Sequence, residues 1–405
     1  MKYKYSGVNR SGARLSGEIE AANAADAQKQ LRQLQIRPIK LTVVKGPGGF
    51  SLSEFFNNPT PAPMEFTAFI RQLATMQGAG IPIVQALGVL ADQAENLAFG
   101  KVLKQVQSQI EQGTGLTDAL KKHPKVFDRI FLNLVAAGEV SGALDAVLNR
   151  LAIFYEKSAQ LRRKIKGAMT YPMVIISLVF IVVFILLKFV VPTFAKMFTQ
   201  GGKELPGPTQ LVIDMSNFVG RNWIFIVIGI AGAIYGLIQT WSNEEARKVI
   251  DPYMMKIPLF GPLIQKVAIA RFSRTLGTMI QSGVPIIDAL EITARVAGNY
   301  AVEAVIKTTG KSISEGNSIA RPLSSSGVFP KMAISMIAIG EQTGSLEQML
   351  TKIAEFYEDE VDAAVGSLTS ILEPLMIVIV GLVVAGVLIP MYLPIFKMGD
   401  AIGAR

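Results

Sequence analysis

Residues 309–312, Thr-Gly-Lys-Ser, come nearest to a chemical signature in this chain. A glycine-rich loop ending in Gly-Lys-Ser or Gly-Lys-Thr cradles phosphates with backbone amides and a lysine. That pattern requires a glycine five residues before Gly310, and Val305 stands there. The segment also continues an amphipathic helix instead of following a strand, so nucleotide binding is not expected. The single histidine, His123, lies beside an expected loop and reads as a solvated side chain. Cysteine is absent, which excludes disulfides, Cys/His zinc sites and thiol nucleophiles. With no paired carboxylates and no nucleophile beside a base, the expectation is a non-enzymatic protein. No catalytic, cofactor-binding or metal-binding residues are expected.

A few charged and small residues remain. Gly138-Glu139 and Gly340-Glu341 stand at equivalent turns. There the glycine permits the turn while the carboxylate caps the next helix, or the carboxylate meets a partner or a divalent cation. Lys188 interrupts an apolar run near one end, where its stem can snorkel to an interface. Glu373 stands beside Pro374 at the start of another run, as an inert interfacial carboxylate or a functional one. Gly232 and Gly236 form a small-xxx-small pattern that suits helix packing within the chain or between copies.

The elements that carry these residues are membrane spans and a duplicated helical domain. The 405 residues are 50% hydrophobic, with a mean hydropathy of +0.39. Three stretches are long enough to cross a bilayer, which takes about 20 apolar residues. They run from Pro172 to Val191, from Asn222 to Asn243 and from Pro374 to Phe396. The formal charge of +9 is unevenly placed. Lys157, Arg162, Arg163, Lys164 and Lys166 crowd before the first span, and Arg247, Lys248, Lys256, Lys266, Arg271 and Arg274 follow the second. Only Lys196, Lys203 and Arg221 lie between them. The positive-inside rule then puts the N-terminus and residues 244–373 in the cytoplasm, with 195–221 and the C-terminus outside. Topology explains the basic surplus, so no nucleic-acid partner is expected. The polar opening MKYKYSGVNR is not expected to be a cleavable signal peptide.

An internal repeat organises the rest. FIRQLATMQGAGIPIVQAL at 69–87 and FSRTLGTMIQSGVPIIDAL at 272–290 share ten of nineteen positions at a separation of 203. AGEVSGALDAVLNRLAIFYE at 137–156 and IGEQTGSLEQMLTKIAEFYE at 339–358 share nine of twenty at a separation of 202. A loop near 121–126 absorbs the one-residue slip. The register continues into the membrane, where Pro172 pairs with Pro374 and Pro192 with Pro394. Apolar spacing makes both copies all-helical. Pro82 and Pro285 suit first helical turns, and Gly113 and Gly316 suit helix stops. Ser141 and Thr343 suit N-caps of the helices that lead into the spans. Pro172 and Pro374 could kink those helices.

The expected order is an α+β subdomain (1–48), with two strands around a Ser-Gly turn, a helix and a third strand, and then a linker (49–65). Helical copy 1 (66–168), span one (169–194), an outer loop (195–221) and span two (222–243) follow. A connector (244–268), helical copy 2 (269–371), span three (372–396) and an outer tail (397–405) complete the chain.

These residues carry a resemblance to the type II secretion F domain family over about residues 60–400. The repeated R-x-L-x-T-M…G-[IV]-P and G-E-x-[ST]-G-x-L motifs supply Arg71, Pro82, Gly138, Glu139 and Gly142 in one copy. In the other they supply Arg274, Pro285, Gly340, Glu341 and Gly344. AMTYP, KFVVPTF, KELPGPTQ and MYLPIF lie at matching places, and the N-terminal appendage is also similar. Within the family, the chain most resembles inner-membrane platform proteins of type IV pili; the alternatives are the platform of a type II secretion system and, remotely, a solute carrier. The resemblance implies a bacterial inner-membrane platform beneath which hexameric assembly and retraction ATPases dock. It also implies contacts with pilins, inner-membrane alignment subunits and a second copy of the chain. Some relatives bind calcium at positions matching Gln85, Glu139 and Ala143, a poor ligand set that is not expected to bind. Asp288, Glu341 and Ser345 form a weak second set.

Overall fold

The computed structural model describes residues 2–8, 14–20, 31, 37–43, 58–200 and 206–403. The chain divides into two units, Met1–Pro59 and Thr60–Arg405. In the first unit, strands β1 (Lys2–Val8), β2 (Arg14–Glu20) and β3 (Arg37–Val43) form an antiparallel sheet in the order β2-β1-β3. Tyr3 opposes Ile19 and Val43, and the β1–β3 register shifts between Ser6 and Gly7. Pro38 is tolerated because β3 is an edge strand, where a missing N–H breaks no second ladder. Leu31 is helical and buried; the rest of the expected helix, the Ser-Gly turn and linker residues 49–57 lie outside the described residues.

In the second unit, each repeat copy is built from six helices. Copy 1 has α1 (Pro63–Gly78), α2 (Ile83–Gln93), α3 (Leu97–Glu111), α4 (Leu116–Lys121), α5 (Arg129–Ser141) and α6 (Leu144–Ile185). A π-helical turn (Leu186–Val190), α7 (Val191–Gln200), α8 (Gly207–Ser242) and α9 (Glu244–Met254) follow. Copy 2 has α10 (Phe260–Gln281), α11 (Ile286–Val296), α12 (Tyr300–Ser314), α13 (Ala320–Ser325), α14 (Lys331–Thr343) and α15 (Leu346–Gly403). The slip in the repeat falls where expected, because 122–128 joins α4 to α5 and the shorter 326–330 joins α13 to α14.

The two copies pack differently around one continuous core. Copy 1 buries an aromatic group of Phe66, Phe69, Phe99, Phe127 and Phe131, with the Tyr155 ring edge-on to Phe66 at 5.2 Å. The equivalents of Phe66, Phe99 and Phe131 are Ile269, Val302 and Ala333, so copy 2 keeps only the Phe272–Phe329 pair, 5.1 Å apart. Tyr155 donates to Asp128 Oδ1 at 2.6 Å, and the same oxygen caps α5 at the Phe131 amide. Pro330 replaces that aspartate in copy 2.

Several expectations are corrected. Ser141 and Thr343 are the last residues of α5 and α14, not N-caps; each helix needs the following left-handed glycine to stop, which moves the next cap further on. Their hydroxyls donate backward to Gly138 O and Ile339 O. Pro82 and Pro285 sit one residue before α2 and α11, in the capping position. Pro172 and Pro374 lie inside unbroken helix, since bundled apolar helices tolerate one missing amide bond. Of the expected loop 195–221, the described residues 195–200 and 207–221 are helical, because the Pro-Gly-Pro run at 206–208 starts α8 and Val212 packs against the first and third spans. The 397–405 tail likewise continues α15 to Gly403.

Three helical stretches are long and apolar enough to cross a membrane: Leu144–Met197, Gly207–Thr240 and Leu346–Pro394. The apolar window of the second is wholly unburied.

Candidate functional site

The short helices α4 and α13 begin with unpaired amides, as every helix does. In both copies the glutamate of the Gly-Glu pair satisfies them. Glu139 reaches back from α5 and accepts from Leu116 N on Oε1 and Thr117 N on Oε2, both at 2.8 Å. Glu341 reaches back from α14 to accept from Ile319 N, at 3.0 and 3.1 Å, and from the Ser318 hydroxyl at 2.6 Å. The carboxylates therefore cap the helix before them in sequence, not the one after, because a side chain on the last turn of α5 or α14 faces the neighbouring loop. The two loops fit their carboxylates in opposite ways. A Cβ on Gly115 would lie 2.9 Å from Glu139 Oε1, so glycine makes room, whereas Ser318 at the equivalent place donates.

Burial pushes the Glu139 carboxyl upward, and the hydrogen bonds from Thr117 and Leu116 together outweigh it, leaving the pKa below the ordinary value. Both carboxylates are committed to amides. Among the described residues, no cluster of three or more His, Cys, Asp or Glu side chains is arranged to hold a metal.

Gly138 and Gly340 are helical, so they do not make the turn. They permit a close crossing: a Cβ on Gly138 would lie 3.2 Å from Leu144 Cα, and one on Gly340 would lie 2.9 Å from Leu346 Cα. The turns belong to Gly142 and Gly344, at φ +67° and +70°, a region glycine enters without steric cost.

Arg71 and Arg274 tie the first helix of each copy to the last. Arg71 makes a two-pronged pair with Glu156, with both contacts at 2.6 Å, and donates to Asn149 Oδ1 at 2.9 Å. The pairing raises the Arg71 pKa and lowers that of Glu156. Arg274 Nε donates to Glu358 Oε1 at 2.8 Å, and Lys157 of copy 1 approaches Glu358 Oε2 at 3.9 Å. The glutamates that complete these clamps were not singled out from sequence, although both end the repeated Phe-Tyr-Glu run. Arg150 of copy 1 also donates to Gln281 O at 2.5 Å.

The membrane-facing candidates do not come together. Lys188 sits in the π-helical turn, and its Nζ lies 4.2 Å from the Trp223 ring centroid and 5.3 Å from that of Phe184. Ser216 donates to Leu187 O at the same turn, and Thr209 donates to Pro390 O at 2.5 Å, so one end of all three spans is pinned. Gly232 and Gly236 have open space around them, and Glu373 is exposed on α15. His123 is half-buried, not solvated: its Nε2 is buried without a partner among the described residues, and burial lowers its pKa. Thr309–Ser312 is ordinary helix within α12.

The family described as type II secretion system protein F matches residues 69–192 and again 272–394, and its N-terminal domain matches residues 1–42. The type IV pilus assembly protein PilC of Myxococcus xanthus is 44% identical, covering 99% of this chain and 96% of its own length. TapC of Aeromonas hydrophila, also a type IV pilus assembly protein, is 38% identical over 99% and 96%. The type II secretion system protein F of Vibrio cholerae is 31% identical over 98% of both chains. With the duplicated clamp, cap and glycine crossing recurring where the family pattern matches twice, this chain belongs to the type II secretion system protein F family.

Proposed function

We propose that this chain is an inner-membrane platform of type IV pilus assembly, which passes force from a cytoplasmic ATPase to pilin subunits entering or leaving the fibre. One observation carries the choice of fibre: identity of 33–44% to five type IV pilus or fimbrial assembly proteins, four of them at 38% or more, against 30–31% to type II secretion relatives. In this reading the N-terminal α+β subdomain and both helical copies face the cytoplasm, where hexameric assembly and retraction ATPases dock. The spans and the Lys188–Trp223 end meet pilin helices and the alignment subunits. The bare face of α8, with Gly232 and Gly236, packs on a second copy of the chain. The reading includes no catalytic step. The clamps and caps support it because they join each soluble copy to its span through a continuous helix, so a push on α1 or α10 reaches the bilayer.

The test is a deletion strain scored for surface fibres, twitching and exoprotein release. Loss of fibres and twitching with normal secretion is expected, and the reverse pattern would reassign the chain to a secretion system. Topology is read separately. The chain has no native cysteine, so single cysteines at Val140 and Lys203 should be labelled from opposite sides of the bilayer.

A further inference from the structure

A cavity of about 410 Å³ opens at the base of the first and third spans, between α6, α10 and α15. This is the size of a small-ligand site. Its wall is almost wholly apolar, with Ile165, Met169, Ile264, Val267 and Val365, and the charged Arg271 lines one side. Ile165 and Met169 come three to seven residues before Pro172, and Val365 shortly before Pro374. The cavity therefore lies where two spans leave the bilayer.

Arg271 is unusual among the basic residues there. Lys164 pairs with Asp362, Lys157 approaches Glu358, and Lys266 pairs with Glu360 at 2.7 Å. Among the described residues, Arg271 has no carboxylate within ion-pair distance: of the charged groups that line an adjoining cavity with it, Arg162 is of the same sign, Asp128 is taken by Tyr155 and the Phe131 amide, and Glu358 by Arg274. Burial and the Arg162 charge both press the Arg271 pKa down, yet a guanidinium keeps its proton in proteins. Even a half-buried charge without a paired counter-ion is costly. The backbone is also shaped for it: Gly298 adopts φ +80°, and a Cβ there would lie 2.6 Å from Arg271 Nη1. Asn299, the other polar lining residue, already accepts from Ala301 N and donates to Asp251 O.

We propose that this cavity holds an anionic phospholipid of the adjacent leaflet, with its phosphate on Arg271 and an acyl chain along Ile165, Ile264 and Val267. Charge complementarity selects an anion, the apolar wall selects an amphiphile, and the place at the base of two spans makes the bilayer its source. The lipid would join copy 1 to copy 2, since α6 belongs to one and α10 and α15 to the other. The inference rests on the membrane placement proposed above but not on the assembly role.

The full chain in detergent, analysed by native mass spectrometry with phosphatidylglycerol and phosphatidylcholine of matched acyl chains, tests it. Wild type should retain phosphatidylglycerol about fivefold better, the worth of one basic contact to an anionic headgroup. Arg271→Gln should lose that preference and Arg271→Lys should keep part of it. Ile264→Trp, which fills the cavity, should reduce retention of both lipids. If Arg271→Gln does not fold, Gly298→Ala, which displaces the guanidinium, carries the same expectation. Equal retention of the two lipids by wild type, or a preference that survives in Arg271→Gln, overturns the proposal. So does displacement of the lipid by inorganic phosphate, which would make this a simple anion site. Fibre assembly is not a readout, so the result stands apart from the platform reading.

Discussion

Copy 1 and copy 2 follow the same chain path, yet they hold their first and last helices together at different depths. Arg71 and Glu156 have side chains 36% and 42% exposed, while Arg274 and Glu358 are 13% and 18% exposed. The copies also differ in what surrounds the clamp. Copy 1 has an aromatic core that fixes Tyr155 against Asp128, and copy 2 has a more aliphatic core around the Phe272–Phe329 pair, with the copy 1 helix α6 lying over its clamp. Duplication thus preserved the fastening but moved one of the two to the seam between copies. There it became part of the interface as well as of the domain.

The largest expected effect breaks that seam. Arg274→Ala leaves Glu358 half-sequestered with only Lys157 at 3.9 Å, and should destabilise by about 3 kcal/mol. Arg71→Ala leaves a carboxylate in contact with water and should cost no more than about 1 kcal/mol. Thermal unfolding of the solubilised chain compares them; equal losses would mean that burial does not separate the two clamps. Next come the crossings. Gly340→Ala drives a Cβ to 2.9 Å from a backbone atom, whereas Gly138→Ala meets Val147 Cβ at 3.1 Å and Leu144 Cα at 3.2 Å. Overpacking should cost about 2 kcal/mol in copy 2 and about 1 kcal/mol in copy 1, read as a larger drop in protease resistance for the former.

A smaller effect separates the caps. Glu139→Ala removes both amide acceptors of α4 and should cost about 1 kcal/mol, typical of a lost cap. The pH dependence has a defined sign. The Glu139 pKa lies below its ordinary value, so its contribution is complete above about pH 4.5 and is lost as pH falls through the lower folded value. The protection factors of the Leu116 and Thr117 amides, which remove the intrinsic pH dependence of exchange, should therefore fall in wild type as pH drops below the ordinary carboxylate value through the lower folded one. In Glu139→Ala they should already be low at neutral pH.

The repeat made most of this architecture legible from sequence. Identity at Gly-Glu, at Gly142 and Gly344, and at the two Arg positions falls on residues that the fold uses as cap, crossing, turn and clamp. Their roles were less legible. A carboxylate's position says that an amide or a cation is near, but not which of two neighbouring helices it faces; only the αL glycine, which turns the chain between α5 and α6, decides that. In sequence a helical glycine and a turn glycine look alike until the crossing partner is known, so Gly138 reads as a turn residue there. The cavity beside Arg271 was not visible at all. Its walls come from residues about 100 and 200 positions apart, and nothing in the charge pattern separates an arginine without a carboxylate partner from its paired neighbours.

The smallest expected effect tests the same asymmetry inside the membrane. Span three runs as unbroken helix through Pro374, Pro390 and Pro394, while span one, with Pro172 and Pro192 at two of the equivalent places and Lys188 where span three has Pro390, passes through a π-helical turn at Leu186–Val190. The extra residue in that turn exposes the Leu187 carbonyl, which Ser216 takes, and holds Lys188 over Trp223. A cation over an indole face contributes about 0.5–2 kcal/mol, and it also quenches the ring. Trp223 is one of only two tryptophans, so Lys188→Met should raise and shift its fluorescence while leaving global unfolding nearly unchanged. If the emission of Trp223 is the same with and without the lysine, the π-helical turn has some purpose other than aiming that cation, and the difference between the two spans lies with Ser216 alone.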